Sequence, residues 1–454
     1  MEALLNHHAS PDVKYADLRI VRIKTLTIEM KNEEITRFVN GFDAGIGVRV
    51  LSNGAIGFVS GTGTTKKVAK ECLENAYKIS KNLKEKTVKL ENGNTENGEA
   101  IWKGKKPHQA LSTEEKIKYM RELKELAWDY KTVKTLTLTY TESLIETEFY
   151  NTNGARVRMS VPRTAMRIQA VASAEGKIAT ITGSVGGTGG LEIFEKYSPE
   201  EELKKTCASA ERQLNAQGSP SGIFTVIADP ELTGVFAHEA IGHACEADAV
   251  IAGGSCLAGK INTKIGNEIV TIIDDPTLPN ENGSFPYDDE GTKTARKVLV
   301  ENGILKSYLH SLETATFLAM EKNGSARAES YAAPPLVRMS NTFVERGDYE
   351  FEEMVKEIKY GVYAKGSRGG QVDTTKGTFQ FSAQEGFLIE NGEITKPLRD
   401  LSLAGDILSI FHQIDAVGKD LTLGHPGNCG KGQWVPVSDG GPHIRMRDVR
   451  VGGG

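Results

Sequence analysis

Apolar and polar residues alternate with a period of two through YADLRIVRIKTLTIEMKNEEITRFVN at 15–40, and again through GIGVRVLSNGAIGFVSG at 45–61, where Ser-Asn-Gly interrupts the run. Period-two alternation broken by turn residues predicts antiparallel hairpins. The period lengthens to a helical one in KKVAKECLENAYKISKNLK at 66–84, and a polar stretch at 88–107, rich in Asn, Gly, Glu and Lys, reads as a linker. STEEKIKYMRELKELAWDY at 112–130 opens with a Ser-x-x-Glu capping box and continues with helical spacing. Strand alternation returns over 133–187, turned by Asn153-Gly154, and another helix is expected over 197–217. From about residue 220 the chain reads as one helix among short strands and glycine-rich turns such as ENGIL and IENGEI. The pattern predicts an α+β fold, with N-terminal antiparallel sheets and packed helices followed by a strand-rich C-terminal domain. It divides the chain at 1–90, 108–217 and 220–454.

Composition narrows the function classes. Among 454 residues, 39% hydrophobic, 25% charged and 48 glycines describe a soluble globular chain with many turns. A net charge of -5 offers no footprint for nucleic acid. The N-terminal MEALLNHHAS has no basic segment followed by an apolar run, and no apolar stretch reaches about 18 residues, so neither a secretory leader nor a membrane span is expected, and the cytoplasm is. Five scattered cysteines, Cys72, Cys207, Cys245, Cys256 and Cys429, contain no CxxC pair and argue against both a disulfide framework and a zinc ribbon. GSVGGTGG at 183–190 has neither dinucleotide nor phosphate-loop order and reads as a flexible loop. Asp288, Asp289 and Glu290 in YDDEGT read as solvated acids of a turn between strands.

Candidate chemistry centres on HEAIGH at 238–243. GIFTVIAD is a plausible buried strand, and Asp229-Pro230-Glu231 supplies an N-cap, a first-turn proline and a first-turn acid, so a helix begins at Pro230. Its apolar face includes Leu232, Val235, Phe236 and Ile241, which places His238, Glu239 and His243 in mid-helix. In a regular α-helix residues five apart diverge by about 140°, so His238 and His243 cannot aim at one ion. A single π-type turn realigns them, and Gly242 is where the backbone yields most easily. A catalytic zinc takes three protein ligands and leaves one position open. Candidates for the third are Glu246, which shares the side of Glu239 and His243 and can alternatively orient a histidine, and Cys429, in the glycine-rich GHPGNCGKGQ; His425 and His443 are weaker rivals. Arg338 and Asn341 in VRMSNT read equally as substrate-gripping residues or as strand-end groups bonding neighbouring carbonyls.

HEAIGHACEAD, DDPT, DDEGT, LVENGILKSYL, PPLVRMSNT, GGQVDTTKGTFQFSAQEGFLIENGEI and CGKGQ recur in this order in a known family. The chain resembles the TldD/PmbA family of zinc metalloproteases, in its active, HExxxH-bearing branch. The resemblance implies one zinc ion per chain on His238, His243 and Cys429, with Glu239 as the general base that activates water against a peptide bond. It also implies a homodimer, or a heterodimer with an inactive relative. Two other functions are weighed against it: a regulatory binding protein with a structural zinc, and a metal-dependent hydrolase of non-peptide amides. An extended peptide substrate requires a cleft bordered by a free strand edge.

Overall fold

The structure is a computed structural model that describes residues 1, 4–5, 11–83, 87–90, 93 and 95–453, the side chain of His425 excepted. The N-terminal alternation folds into three long strands, β1 (Val13–Lys31), β2 (Glu34–Ser52) and β3 (Ala55–Thr62). The β2–β3 turn at Asn53-Gly54 has both residues at positive φ, 52° and 79°, the backbone a tight two-residue hairpin requires. Helix α1 (Lys66–Asn82) is capped by Thr65, whose side chain accepts from the Val68 amide. Strand β4 (Asn97–Ile101) and helix α2 (Thr113–Glu125) follow, the latter with the expected Ser112/Glu115 capping box. Strands β5 (Val133–Asn151), β6 (Arg156–Ala174) and β7 (Lys177–Thr188) and helix α3 (Pro199–Gln213) complete this half.

All seven strands join one sheet in the order β3-β2-β1-β5-β6-β4, with β7 also on β6. One apolar core lies between its β1–β3 part and α1, and a second lies under α2 and α3. Two sequence expectations change here. The linker at 88–107 lies partly outside the described residues, at 91, 92 and 94, but it contains β4, which pairs in parallel with β6 from Asn97 opposite Arg156. The glycine run is no flexible loop up to Thr188: Gly183, Gly186 and Gly187 are zipped to Ile168, Ala165 and Thr164. Its glycines serve close approach, since a Cβ on Gly187 would sit 1.9 Å from the Asn280 carbonyl oxygen.

The C-terminal half stacks an eight-stranded and a six-stranded sheet. Strand β8 (Gly222–Ala228) runs into helix α4 (Pro230–Phe236), with Asp229 as N-cap accepting from the Leu232 amide at 2.9 Å. The six-stranded sheet includes β9 (Ile272–Asp274), β10 (Lys297–Glu301) and β11 (Asn341–Val344). Strands β12 (Tyr360–Asp373) and β13 (Thr378–Glu390) belong with β8 to the eight-stranded sheet. Strands β14 (Thr422–Gly430) and β15 (Trp434–Gly441) close the six-stranded sheet beyond β11, and β16 (Ile444–Gly452) returns beside β8. Helix α4 lies between the two layers. Gly234 lets it touch β15, where any Cβ would meet the Gly440 nitrogen at 2.2 Å, and Phe236 packs edge-on against Phe379 and Phe381 of β13.

The acidic turn is the third correction. Asp288 and Glu290 are only 3% and 2% exposed, because the turn is the seam between the two halves. Arg19 reaches Asp289 at 3.0 Å, and Arg49 bridges Asp17 and Glu290, at 2.7 Å to the latter. Carboxylates so deep are tolerable only when paired and hydrogen-bonded, and the Glu290 carboxylate also accepts from the Leu312 amide.

Candidate metal centre

The helix that starts at Pro230 does not continue as a regular α-helix through the motif. It widens into a π-turn over Ala237–Gly242, with the His243 amide bonded to the His238 carbonyl, and then tightens to a 3-10 turn at His243–Cys245. This brings the two rings to one side, with centroids 5.2 Å apart and planes at 89°. Gly242 is helical (φ -55°), so the glycine is required for space rather than for conformational freedom: a Cβ there would lie 1.9 Å from Met339 Sδ.

Strand β14 carries Cys429 into the same place. Its Sγ lies 3.3 Å from His243 Nε2, and one ligand atom from each of His238, His243 and Cys429 falls within 4.8 Å of the others. Burial alone pushes the Cys429 thiol up, but hydrogen bonds with His238 and His243 hold it down at about 5. Burial disfavours charge on His243, yet Glu246 and Cys429 raise its pKa well above the ordinary imidazole value. A thiolate and two imidazole nitrogens facing one point form a donor set suited to a borderline-soft divalent ion such as zinc. Among the described residues His238 Nδ1 is buried without a hydrogen-bond partner, a second sign that this corner is built around something other than the chain itself. Glu239, with its side chain 31% exposed and Oε2 3.9 Å from His243 Nε2, lies on the open side.

The surrounding charges fix this arrangement. Glu246 is buried and accepts from His243 Nδ1 at 3.0 Å, so it orients the ring and leaves Nε2 facing Cys429. Lys431 Nζ sits 3.2 Å from the same carboxylate and 2.7 Å from Asp248. Arg338 donates to the carbonyls of Cys429 and Gln433, at 2.5 and 2.9 Å, and pins both ends of the loop that carries Lys431. Burial pulls against ionisation of Glu246, but His243, Lys431 and Arg338 hold its carboxyl below the usual value.

Arg338 and Asn341 are turned inward to partners within the chain. Both are buried, and Asn341 spends its amide on the Asp275 carbonyl, Ser284 Oγ and the Gly283 amide. Cys245 is enclosed in the core, and His443 is engaged by Asp420 and Tyr363, so neither joins the cluster; the His425 side chain lies outside the described residues. Sequence reasoning passed over Lys431, although its position between two glycines beside Cys429 is a usable signal.

Three family models cover nearly the whole chain: PmbA/TldA metallopeptidase domain 1 matches residues 16–80, the central domain 106–216, and the C-terminal domain 221–453. The chain belongs to the PmbA/TldA metallopeptidase family. A metalloprotease of Methanothermobacter thermautotrophicus is 43% identical over 442 residues, 97% of this chain and 96% of the relative. A zinc metalloprotease TldD homolog of Saccharolobus solfataricus is 30% identical over 97% of this chain and 96% of its own length. The crystal structure of TldE from Thermococcus kodakarensis, 20% identical, superposes with a TM-score of 0.82 over 100% of each chain and shares the PmbA/TldA fold. Among the described residues no helix is long and apolar enough to cross a membrane.

Proposed function

We propose that this chain is a cytoplasmic zinc peptidase acting on unfolded or extended peptides. His238, His243 and Cys429 hold one zinc ion, and Glu239 is the general base. The observation that carries the reading is the convergence of the three donors through the π-turn, with Glu239 facing the open side. When bound, the ion supplies Lewis acidity towards a carbonyl and lowers the pKa of water at the site. Glu239 takes the proton of the attacking water and returns it to the leaving amine, a role that a partly exposed carboxylate beside the cluster can serve. Glu246 holds the His243 tautomer, and Arg338 and Lys431 keep the Cys429 loop seated.

Three converging protein donors favour a catalytic over a structural site, which takes four. Strand β14 is the last strand of its sheet, and a cavity of about 480 Å³ runs beside it, lined by Arg163, Ser184, Asn282, Pro426, Gly427 and Asn428. A cleft along a terminal strand, lined by Asn428 next to Cys429, suits an extended peptide better than a small amide. The five unpaired cysteines are in keeping with a reducing compartment. The chain then divides into an N-terminal subdomain at 1–90, a second at 108–217 and the catalytic domain at 220–454.

The test is Glu239→Gln. The variant is nearly isosteric and is expected to keep stoichiometric zinc and its fold while losing about 100-fold to 10,000-fold in peptide hydrolysis, the usual worth of general acid–base catalysis. Near-native turnover in zinc-loaded Glu239→Gln protein refutes the assigned base.

A further inference from the structure

A second cluster of chemistry-bearing side chains lies at the seam between the two halves, outside the donor set. A cavity of about 80 Å³ opens there between β1 and β6 on one side and β15 on the other, and Arg163 and Arg327 both line it. They are only 9% and 5% exposed. Arg163 donates from Nε to the Asn282 carbonyl at 2.9 Å and from Nη2 to the Ser284 carbonyl at 3.2 Å. Arg327 donates to the carbonyls of Met339 and Pro436, both at 2.7 Å, and its guanidinium lies 4.6 Å from the centre of the Phe285 ring. Among the described residues Arg163 Nη1 and Arg327 Nε have no hydrogen-bond partner, neither guanidinium has an ion pair, and neither of these two atoms is sealed from the cavity. The acids of the same cavity are committed elsewhere: Asp289 to Arg19 and the Ala328 amide, and Glu329, exposed at the rim, to the Trp434 amide.

Buried charges in proteins are normally paired, because an isolated ion loses its hydration without return. Here burial pulls Arg163 down to about 10 and Arg327 to about 9, the latter with the charges of Arg163 and Arg338 adding to the effect, so both remain cations at neutral pH. Two like charges facing one small space, with only carbonyls as partners, are matched to an anion from outside the chain, and guanidinium suits a planar oxyanion best. One water needs roughly 10 to 15 Å³ of such space, so a carboxylate fits and a bulky anion does not. Arg163 and Pro436 also line the cleft beside β14, so the two spaces adjoin. We propose that Arg163 and Arg327 form an anion site that takes the C-terminal carboxylate of a peptide lying in that cleft. The C-terminus is the one carboxylate every peptide carries. The choice of a peptide as ligand rests on the peptidase reading; the anion site itself rests on the two guanidiniums. Free small anions offer the same chemistry, and the experiment separates them.

The probes are a short peptide without acidic side chains, carrying either a free or an amidated C-terminus, together with acetate and inorganic phosphate. In native zinc-loaded protein, amidation should raise KM about 10-fold to 100-fold, the worth of a hydrogen bond between charged groups, and leave kcat nearly unchanged. Arg163→Gln and Arg327→Gln should each raise KM for the free acid and barely move it for the amide, while Arg163→Lys keeps part of the discrimination; thermal unfolding of each variant checks its fold. Calorimetric titration of Glu239→Gln protein with the two peptides makes the same comparison without turnover. Tighter binding of the acid with no hydrolysis by the native protein supports this site and refutes the peptidase reading. Hydrolysis with equal KM for acid and amide overturns the site and spares that reading. Acetate or phosphate binding that Arg163→Gln abolishes, with equal affinities for the two peptides, assigns the cavity to a free anion and likewise overturns the proposal.

Discussion

Gly242→Ala tests whether the π-turn holds its ligands only because a glycine fits against Met339. The added Cβ would stand 1.9 Å from Met339 Sδ and 3.3 Å from its Cγ and Cε. Ordinary contacts between such atoms lie near 3.5 to 4.0 Å, so about 2 Å must be recovered by moving either the turn or the methionine. Met339 is fully buried, and its carbonyl is held by Arg327 at 2.7 Å, so the turn bears much of the shift. Zinc–ligand distances tolerate about 0.2 Å, and His243 is the next residue. Overpacking of this kind costs about 1 to 3 kcal/mol, and the loss of ligand orientation should weaken zinc binding about 10-fold to 100-fold. The assay is zinc competition against a chelator of known affinity, with thermal unfolding of the metal-free protein on the same sample. Adding Met339→Ala should recover affinity although it costs stability. Full zinc affinity in a folded Gly242→Ala variant would show that the turn is not positioned this way.

Cys429→Ser should lose zinc on dialysis against a weak chelator; stoichiometric retention would remove Cys429 from the ligand set. His310 is buried, and desolvation pushes its pKa down to about 4, so the folded state holds it neutral while the unfolded chain protonates near 6.5. The penalty is absent above pH 6.5 and grows as pH falls towards 4, reaching about 3 kcal/mol. Unfolding free energies of native and His310→Gln protein should accordingly converge on acidification, and parallel pH profiles would contradict this. Arg49→Met leaves Asp17 and Glu290 buried without their shared cation, at a cost of about 3 to 5 kcal/mol, and calorimetry should show the N-terminal sheet melting ahead of the C-terminal half. A single unshifted transition would show the seam to be energetically minor.

Much of this architecture was legible in the chain. The hairpins, the Ser112 cap and the helix start at Pro230 follow from local chemistry, so period and capping residues were enough to find them. The π-turn could be anticipated because five-residue spacing and a shared ion are incompatible with a regular helix. Burial was harder to read. Asp288, Asp289 and Glu290 look like solvent-facing turn residues until Arg19 and Arg49, some 240 to 270 positions earlier, are brought against two of them. Arg338 and Asn341 read equally as ligand-gripping residues or as strand-end groups, and only the fold shows that both are buried and donate to carbonyls of their own chain. The third donor shows the same limit: Cys429 is 186 residues from His243, and its place is set by the pairing of β14 with β15, which no local pattern encodes.

The wide turn at Ala237–Gly242 has an evolutionary consequence. A residue inserted into a helix rotates everything beyond it by about 100°, unless the backbone absorbs the extra unit locally as a π-turn. Between Glu239 and His243 the motif therefore stands one deletion away from the His-Glu-x-x-His spacing of an ordinary helix. Such a deletion would keep every donor type and every capping residue while turning the two imidazoles relative to the thiol. Descendants of a chain like this one can lose the chemistry and keep the fold in a single indel, and an alignment scored on residue identity alone would register almost nothing.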